Sequence, residues 1–151
     1  MFKVDVDSIE AYFAFDPARQ SELERMDRMI RDTAPRLQRY FHKGTPPGEP
    51  GMRFKMIGYG PLIYPAKGGK TLEWPSVGMA LQKSYISLYF SVRRDGRLVT
   101  EDYRDRLGAL RTGNGNFSFV QFDDLQQECL AQLLHEAQDL YEVDPARKQA
   151  R

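Results

Sequence analysis

The chain has 151 residues, 22 of them lysine or arginine and 21 aspartate or glutamate, for a net charge of +1. That length suits one domain with its own hydrophobic core, and the charge balance argues against nucleic acid as an obligatory partner, since phosphate binding needs a basic excess or a clustered basic face. A single cysteine, Cys129, leaves no internal disulfide, and no apolar run approaches the ~18 residues of a membrane span, so the expectation is a soluble cytoplasmic protein without a membrane partner.

In chain order, "DSIEAYFAFDP" opens with a helix-start signal. Asp7 and Glu10 have the spacing of a capping box, and Ile9, Tyr12 and Phe13 then share one helical face. Asp16 followed by Pro17 restarts the helix, with Asp16 as the cap. Leu23, Met26, Ile30 and Ala34 continue at helical spacing until Pro35, which disfavours helical geometry at Ala34. "RLQRYFHKG" predicts a short strand, and the prolines and glycines of "TPPGEPG" a loop. "MRFKMI" alternates Met52, Phe54 and Met56 against Arg53 and Lys55, which is strand-like. "KGGK" turns between Leu62–Ala66 and Thr71–Leu81, which read as a hairpin. "YISLYFSV" alternates most cleanly. Ile86, Leu88, Phe90 and Val92 face one side, expected to meet helices; Tyr85, Ser87, Tyr89 and Ser91 face the other, expected to be partly wet.

After the turn "RRDGR", "TEDYRDRLGAL" predicts a short helix capped by Thr100, with Tyr103 and Leu107 on one face. "TGNGN" predicts a tight loop and "FSFVQF" a last strand. "DDLQQECLAQLLHEAQDLYEV" is the strongest helix, with Asp123 and Asp124 at its start and an apolar stripe through Leu125, Cys129, Leu130, Leu133, Leu134, Ala137, Leu140 and Tyr141; Asp144 and Pro145 end it. Helices at both ends and strands grouped between them predict an α+β fold. It is a single domain over 1–144, with a twisted antiparallel sheet, the N- and C-terminal helices packed on one face, and a flexible basic tail over 145–151.

The segments "GYGPLIY", "WPSVGMALQKSYISLYF", "LGALRTG" and "FVQFDDL" together resemble the YdhG-like family of small bacterial domains of unknown function, over roughly residues 9–134. The sharpest part is Gly78 to Tyr89, which holds Lys83 before a tyrosine-rich strand. Where the family usually has proline and arginine before that lysine, this chain has Leu81 and Gln82; where it tends to have a lysine after the last strand, this chain has Gln121 and Phe122. The resemblance implies a compact α+β domain, distantly frataxin-like. The iron-chaperone label of some members makes iron a conceivable ligand.

Weighed on the residues, iron handling needs oxygen ligands gathered on one surface. The early acids are Asp5, Asp7, Glu10, Asp16, Glu22, Glu24 and Asp27, but Glu24 with Arg28 and Asp27 with Arg31 stand at i, i+4 spacing, which favours surface ion pairs over a metal. His42, His135 and Cys129 are too few for a tetrahedral zinc site. No nucleophile motif appears, and Cys129 lies on an apolar stripe, so no catalytic residue is assigned and a non-enzymatic role is favoured over an enzyme of unknown reaction. "RTGNGN" offers Arg111 beside glycines that can cradle an anion, though a turn is needed there anyway. The aromatic set is the main candidate: Tyr59, Tyr64, Trp74, Tyr85 and Tyr89 fall on or near successive strands, with Lys83 at the start of one. These residues suit a shallow ligand cleft, a subunit interface such as a homodimer's, or packing beneath loops. The leading expectation is a non-catalytic module binding a small ligand or a protein through this face. An iron chaperone using surface carboxylates is the alternative.

Overall fold

The computed structural model describes residues 2–46 and 53–147. Met52, most of the "TPPGEPG" loop and the last four residues of the basic tail lie outside them.

Helix α1 spans Ile9–Ala14 and α2 spans Gln20–Thr33. The cap of α1 is Ser8, whose Oγ accepts from Ala11 N at 3.0 Å, and not the expected Asp7. Asp7 instead reaches Lys55 Nζ at 3.2 Å. Asp16 does not cap α2: its Oδ1 accepts from Ala18 N at 3.1 Å within a turn, and α2 starts only at Gln20. Leu23, Met26 and Ile30 of α2 are fully buried at the expected spacing. The last helix, α3, spans Gln127–Val143 and buries Cys129, Leu130, Leu133, Leu134, Ala137 and Tyr141. It begins later than expected. Asp123 and Asp124 belong to a preceding 3₁₀ turn, Phe122–Asp124, where Asp123 pairs with Arg25 at 2.6 Å instead of capping the helix.

Between the helices lie β1 (Arg39–His42), β2 (Met56–Pro65), β3 (Thr71–Leu81), β4 (Ile86–Phe90), a small β5 (Arg93–Arg94) and β6 (Arg97–Leu98) ribbon, β7 (Arg111–Gly113) and β8 (Asn116–Phe119). The main sheet has the antiparallel order β1-β2-β3-β4-β8-β7. Two segments differ from expectation. "TEDYRDRLGAL" holds only a 3₁₀ turn, Val99–Asp102, and Thr100 is buried rather than capping. "TGNGN" is the turn of a β7–β8 hairpin, so β7 adds an edge strand the alternation did not signal.

Directly paired residues share a sheet face, and neighbours along a strand alternate. One face therefore carries Tyr59, Val77 and Phe90 in one row, Ile57, Met79, Leu88 and Phe117 in the next, and Leu81, Ile86 and Phe119 in a third. All join the buried residues of α1, α2 and α3 in one continuous core, so the fold is a single α+β domain with its helices on one side of the sheet. At Gly60 the backbone takes φ +72°, a region that favours glycine, and a Cβ there would stand 2.7 Å from Leu37 Cδ2. Tyr59 and Leu62, three positions apart, consequently both enter the helical core, where a regular strand would send them to opposite sides. Beyond α3, Ile63 N donates to Ala146 O at 2.6 Å and Arg147 bridges Leu62, which holds the first part of the basic tail against β2.

Candidate functional site

The second sheet face is built from what remains in the register. β4 contributes Tyr85, just before its start, with Ser87 and Tyr89; β8 contributes Asn116 and Ser118, and β7 contributes Arg111. Gly78 and Ala80 of β3, and Met56 and Gly58 of β2, complete it toward β1. Tyr85, Tyr89 and Ser91 are half-buried, so the face is partly wet as expected, but its centre is dry. Met56, Ala80, Ser87 and Ser118 are all buried, and the two serines share a hydrogen bond of 2.8 Å. Small residues form the floor so that large ones can lie across it. The ring of Tyr40 crosses Gly58 closely enough that a Cβ there would sit 2.6 Å from it, and Met56 Sδ fills the space over Gly78 in the same way.

Tyr85 and Tyr89 stand half-buried over this floor. The Arg111 guanidinium lies 5.2 Å over the Tyr85 ring, and its Nη1 donates to Tyr85 Oη at 3.2 Å. Tyr89 packs on Phe54 with centroids 5.7 Å apart, and its Oη accepts from Gln82 Nε2 at 3.3 Å. Arg19, from the turn before α2, fixes the β3–β4 turn from the helical side: its Nη1 donates to Gln82 O at 2.5 Å and Tyr85 O at 3.3 Å. Lys83 is exposed in that turn and makes no hydrogen bond or ion pair with any described residue. The β4–β8 register, continued by one residue, puts Val120 beside Tyr85, and Val120 is 46% exposed.

Of the seven expected site residues, the structure thus gathers Lys83, Tyr85, Tyr89 and Arg111. The other three stand elsewhere. Tyr59 is a correction: it is fully buried on the helical face, out of reach of any ligand on the second face, and its Oη donates to Asp27 Oδ1 at 2.6 Å. Burial, with the adjacent Asp27 carboxylate, pushes the Tyr59 phenol well above its ordinary range. Asp27 is itself buried and paired with Arg39 at 2.8 Å and Arg31 at 3.6 Å, so it is no solvated helix-surface acid. Glu24 accepts from Gln20 at 3.0 Å rather than pairing with Arg28. Tyr64 and Trp74 sit toward the tip of the β2–β3 hairpin, opposite Leu72 and Leu62. Residues the sequence did not single out complete the face: Phe54, Gln82 and Val120, with Arg19 holding the β3–β4 turn from the helical side.

Four cavities are described, and none is lined by Tyr85 or Tyr89. The largest, about 890 Å³, runs between α2 and β1 and is lined by Glu24, Asp27 and Asp32 together with Arg28, Arg31 and Arg39, so its charges balance. Among the described residues no group of three histidine, cysteine or acidic side chains is placed to hold a metal ion, and most of the early carboxylates have cation or amide partners: Asp5 and Asp7 with Lys55, Asp16 with Arg19, Glu22 with Phe122 N. Cys129 is buried, and burial pushes its thiol up, which is the opposite of nucleophile activation. No helix among the described residues is long and apolar enough to cross a membrane.

No family model matches the chain, and neither a curated protein nor a solved structure matches it.

Proposed function

We propose that the chain is a non-catalytic binding module whose Tyr85–Tyr89 face takes an acidic segment of another protein. The observation that carries this reading is the composition of the face. Two half-buried tyrosines, the exposed Val120 and the exposed cations Lys83 and Arg111 lie together, and no register position of β4, β8 or β7 on that face holds a carboxylate. Tyrosine and arginine are the side chains that dominate protein interfaces, because each buries a large rigid area while keeping a polar tip. A small ligand calls for a concave site that encloses it, whereas Lys83, Tyr85, Tyr89 and Arg111 line none of the four described cavities, one of which meets this face only at Phe54. A second copy docking through a two-fold axis would set like patches together, cation against cation, whereas an acidic partner relieves that repulsion. The likeness to the YdhG-like family remains a proposal resting on its motifs, and the binding reading does not need it. Nothing in the site favours the iron-chaperone alternative.

The test is photo-crosslinking in cells of the intact chain, with a benzophenone amino acid in place of Tyr89 and, as control, in place of the exposed Arg28 on α2. A discrete adduct with an acidic protein is expected from position 89 and not from position 28. No adduct at 89, or the same products from both positions, would overturn the reading.

A further inference from the structure

A second site stands apart from the tyrosine face. The bend at Gly60 lets the β2–β3 hairpin tip curl toward the chain leaving β1, and a cavity of about 580 Å³ opens between residues 41–46 and 66–73. That volume is in the range of small-molecule sites. Its lining carries Lys43, Lys67 and Lys70 against one acid, Glu73, a formal excess of two positive charges from these four residues (three minus one). Lys43 and Lys67 make no hydrogen bond or ion pair with any described residue, so the excess is not neutralised locally. This contrasts with the larger α2–β1 cavity, whose arginines and acids cancel.

The lining also carries the apolar side chains of Phe41 and Leu72. Phe41 packs against the hydrophobic core, so its ring is a fixed surface and not a mobile flap. Thr45 also lines the cavity, and its Oγ1 is buried with no hydrogen-bond partner among the described residues. Gly68 and Gly69 form the hairpin tip with φ of +73° and +75°, between the lining residues Lys67 and Lys70.

We infer that this cavity binds a small phosphate monoester. Lys43 and Lys67 act as flexible point charges on the phosphoryl group, and the apolar body of the ligand lies along Phe41 and Leu72. Lysine suits this task because three rotatable ammonium donors adapt to a tetrahedral oxyanion without the fixed fork that arginine brings.

Titration of the full chain with phenyl phosphate, inorganic phosphate and phenol, followed by backbone amide NMR, tests the inference. Phenyl phosphate is expected to shift Gly44, Thr45, Gly68 and Thr71, to bind more tightly than either fragment, and to lose about tenfold in affinity in Lys43→Ala/Lys67→Ala, as expected for lost charge-assisted hydrogen bonds. Both lysines are exposed, so the variant folds, and an unchanged amide spectrum away from the cavity verifies that. No shift at these residues up to millimolar ligand, equal binding of phenyl phosphate and inorganic phosphate, or affinity that survives the double variant would each overturn it. None of these outcomes depends on Tyr85, Tyr89 or Lys83, so this site and the protein-binding face fail or stand separately.

Discussion

Tyr59 and Tyr85 are the same side chain in opposite situations, and their contacts decide what each does. Tyr59 ends inside the core and satisfies one oxygen of a buried carboxylate, Asp27. Tyr59→Phe leaves that oxygen without its donor, and a hydrogen bond to a charged group contributes about 1.5–3 kcal/mol, so urea unfolding should register a loss of that size. Tyr85→Phe removes only an exposed contact from Arg111 and should fall within about 0.5 kcal/mol of the parent. The sequence could not separate the two. Both parities of "FKMIGYG" are apolar or aromatic: Phe54 and Met56 go to the second face while Ile57 and Tyr59 go to the core, so alternation alone has no preferred side. Gly60 then reverses the parity beyond it. Gly60→Ala meets both a left-handed backbone and the Leu37 side chain, and should destabilise by more than about 1 kcal/mol, whereas Gly68→Ala, equally left-handed but in open space, should cost about 1 kcal/mol.

At the scale of elements, strong periodicity carried well from sequence to structure. Leu23, Met26 and Ile30, and the stripe from Cys129 to Tyr141, were legible because a helix of several turns repeats its apolar spacing many times. Helix starts were less legible because neighbouring polar residues compete for the same backbone amides. Asp7 and Ser8 both qualify as the cap of α1, and Lys55, a distant residue in sequence, draws Asp7 away. Ser8→Ala should therefore cost about 1 kcal/mol in thermal or chemical unfolding, while Asp7→Asn, fully exposed in its ion pair, should leave the unfolding midpoint unchanged. Arg25 diverts Asp123 from α3 in the same way. The edge strand β7 was missed because three residues that include a glycine carry too short a pattern, and only pairing with β8 reveals them. The tyrosine strand is two-faced, as its alternation predicts: Ile86, Leu88 and Phe90 are buried in the helical core and Tyr85 and Tyr89 are not. The dry centre of the second face was not legible, because it arises from Met56 and Tyr40 reaching across glycines on neighbouring strands.

For the whole molecule, stability should fall at both ends of the pH scale for separable reasons. Hydrogen bonds from Arg19 and Arg25 hold Asp16 and Asp123 below the usual carboxylate value; for Glu136, burial pushes upward but the hydrogen bonds from Tyr103 and Arg94 outweigh it. A carboxylate whose value is lower in the fold than in the unfolded chain stabilises the fold above the unfolded value, near pH 4, and that contribution is lost as pH falls further. Burial pushes the phenols of Tyr12 and Tyr103 up to about 12. Here the sign reverses: stability is whole below the unfolded value near 10 and declines as pH rises from 10 toward 12. Far-ultraviolet circular dichroism across pH should show both limbs, and Tyr12→Phe should shrink the alkaline one. These groups bear on stability. The proposed binding function rests on a different set, the exposed cations and half-buried tyrosines of the second face. Lys83 and Arg111 can be reversed in charge with little effect on folding, since both are exposed. The most direct test therefore repeats the crosslinking from position 89 in the Lys83→Glu/Arg111→Glu chain, with its melting temperature measured alongside. The account predicts an unchanged melting temperature and an adduct yield reduced about tenfold or more, because like charges now face the acidic partner; an adduct of undiminished yield would contradict it.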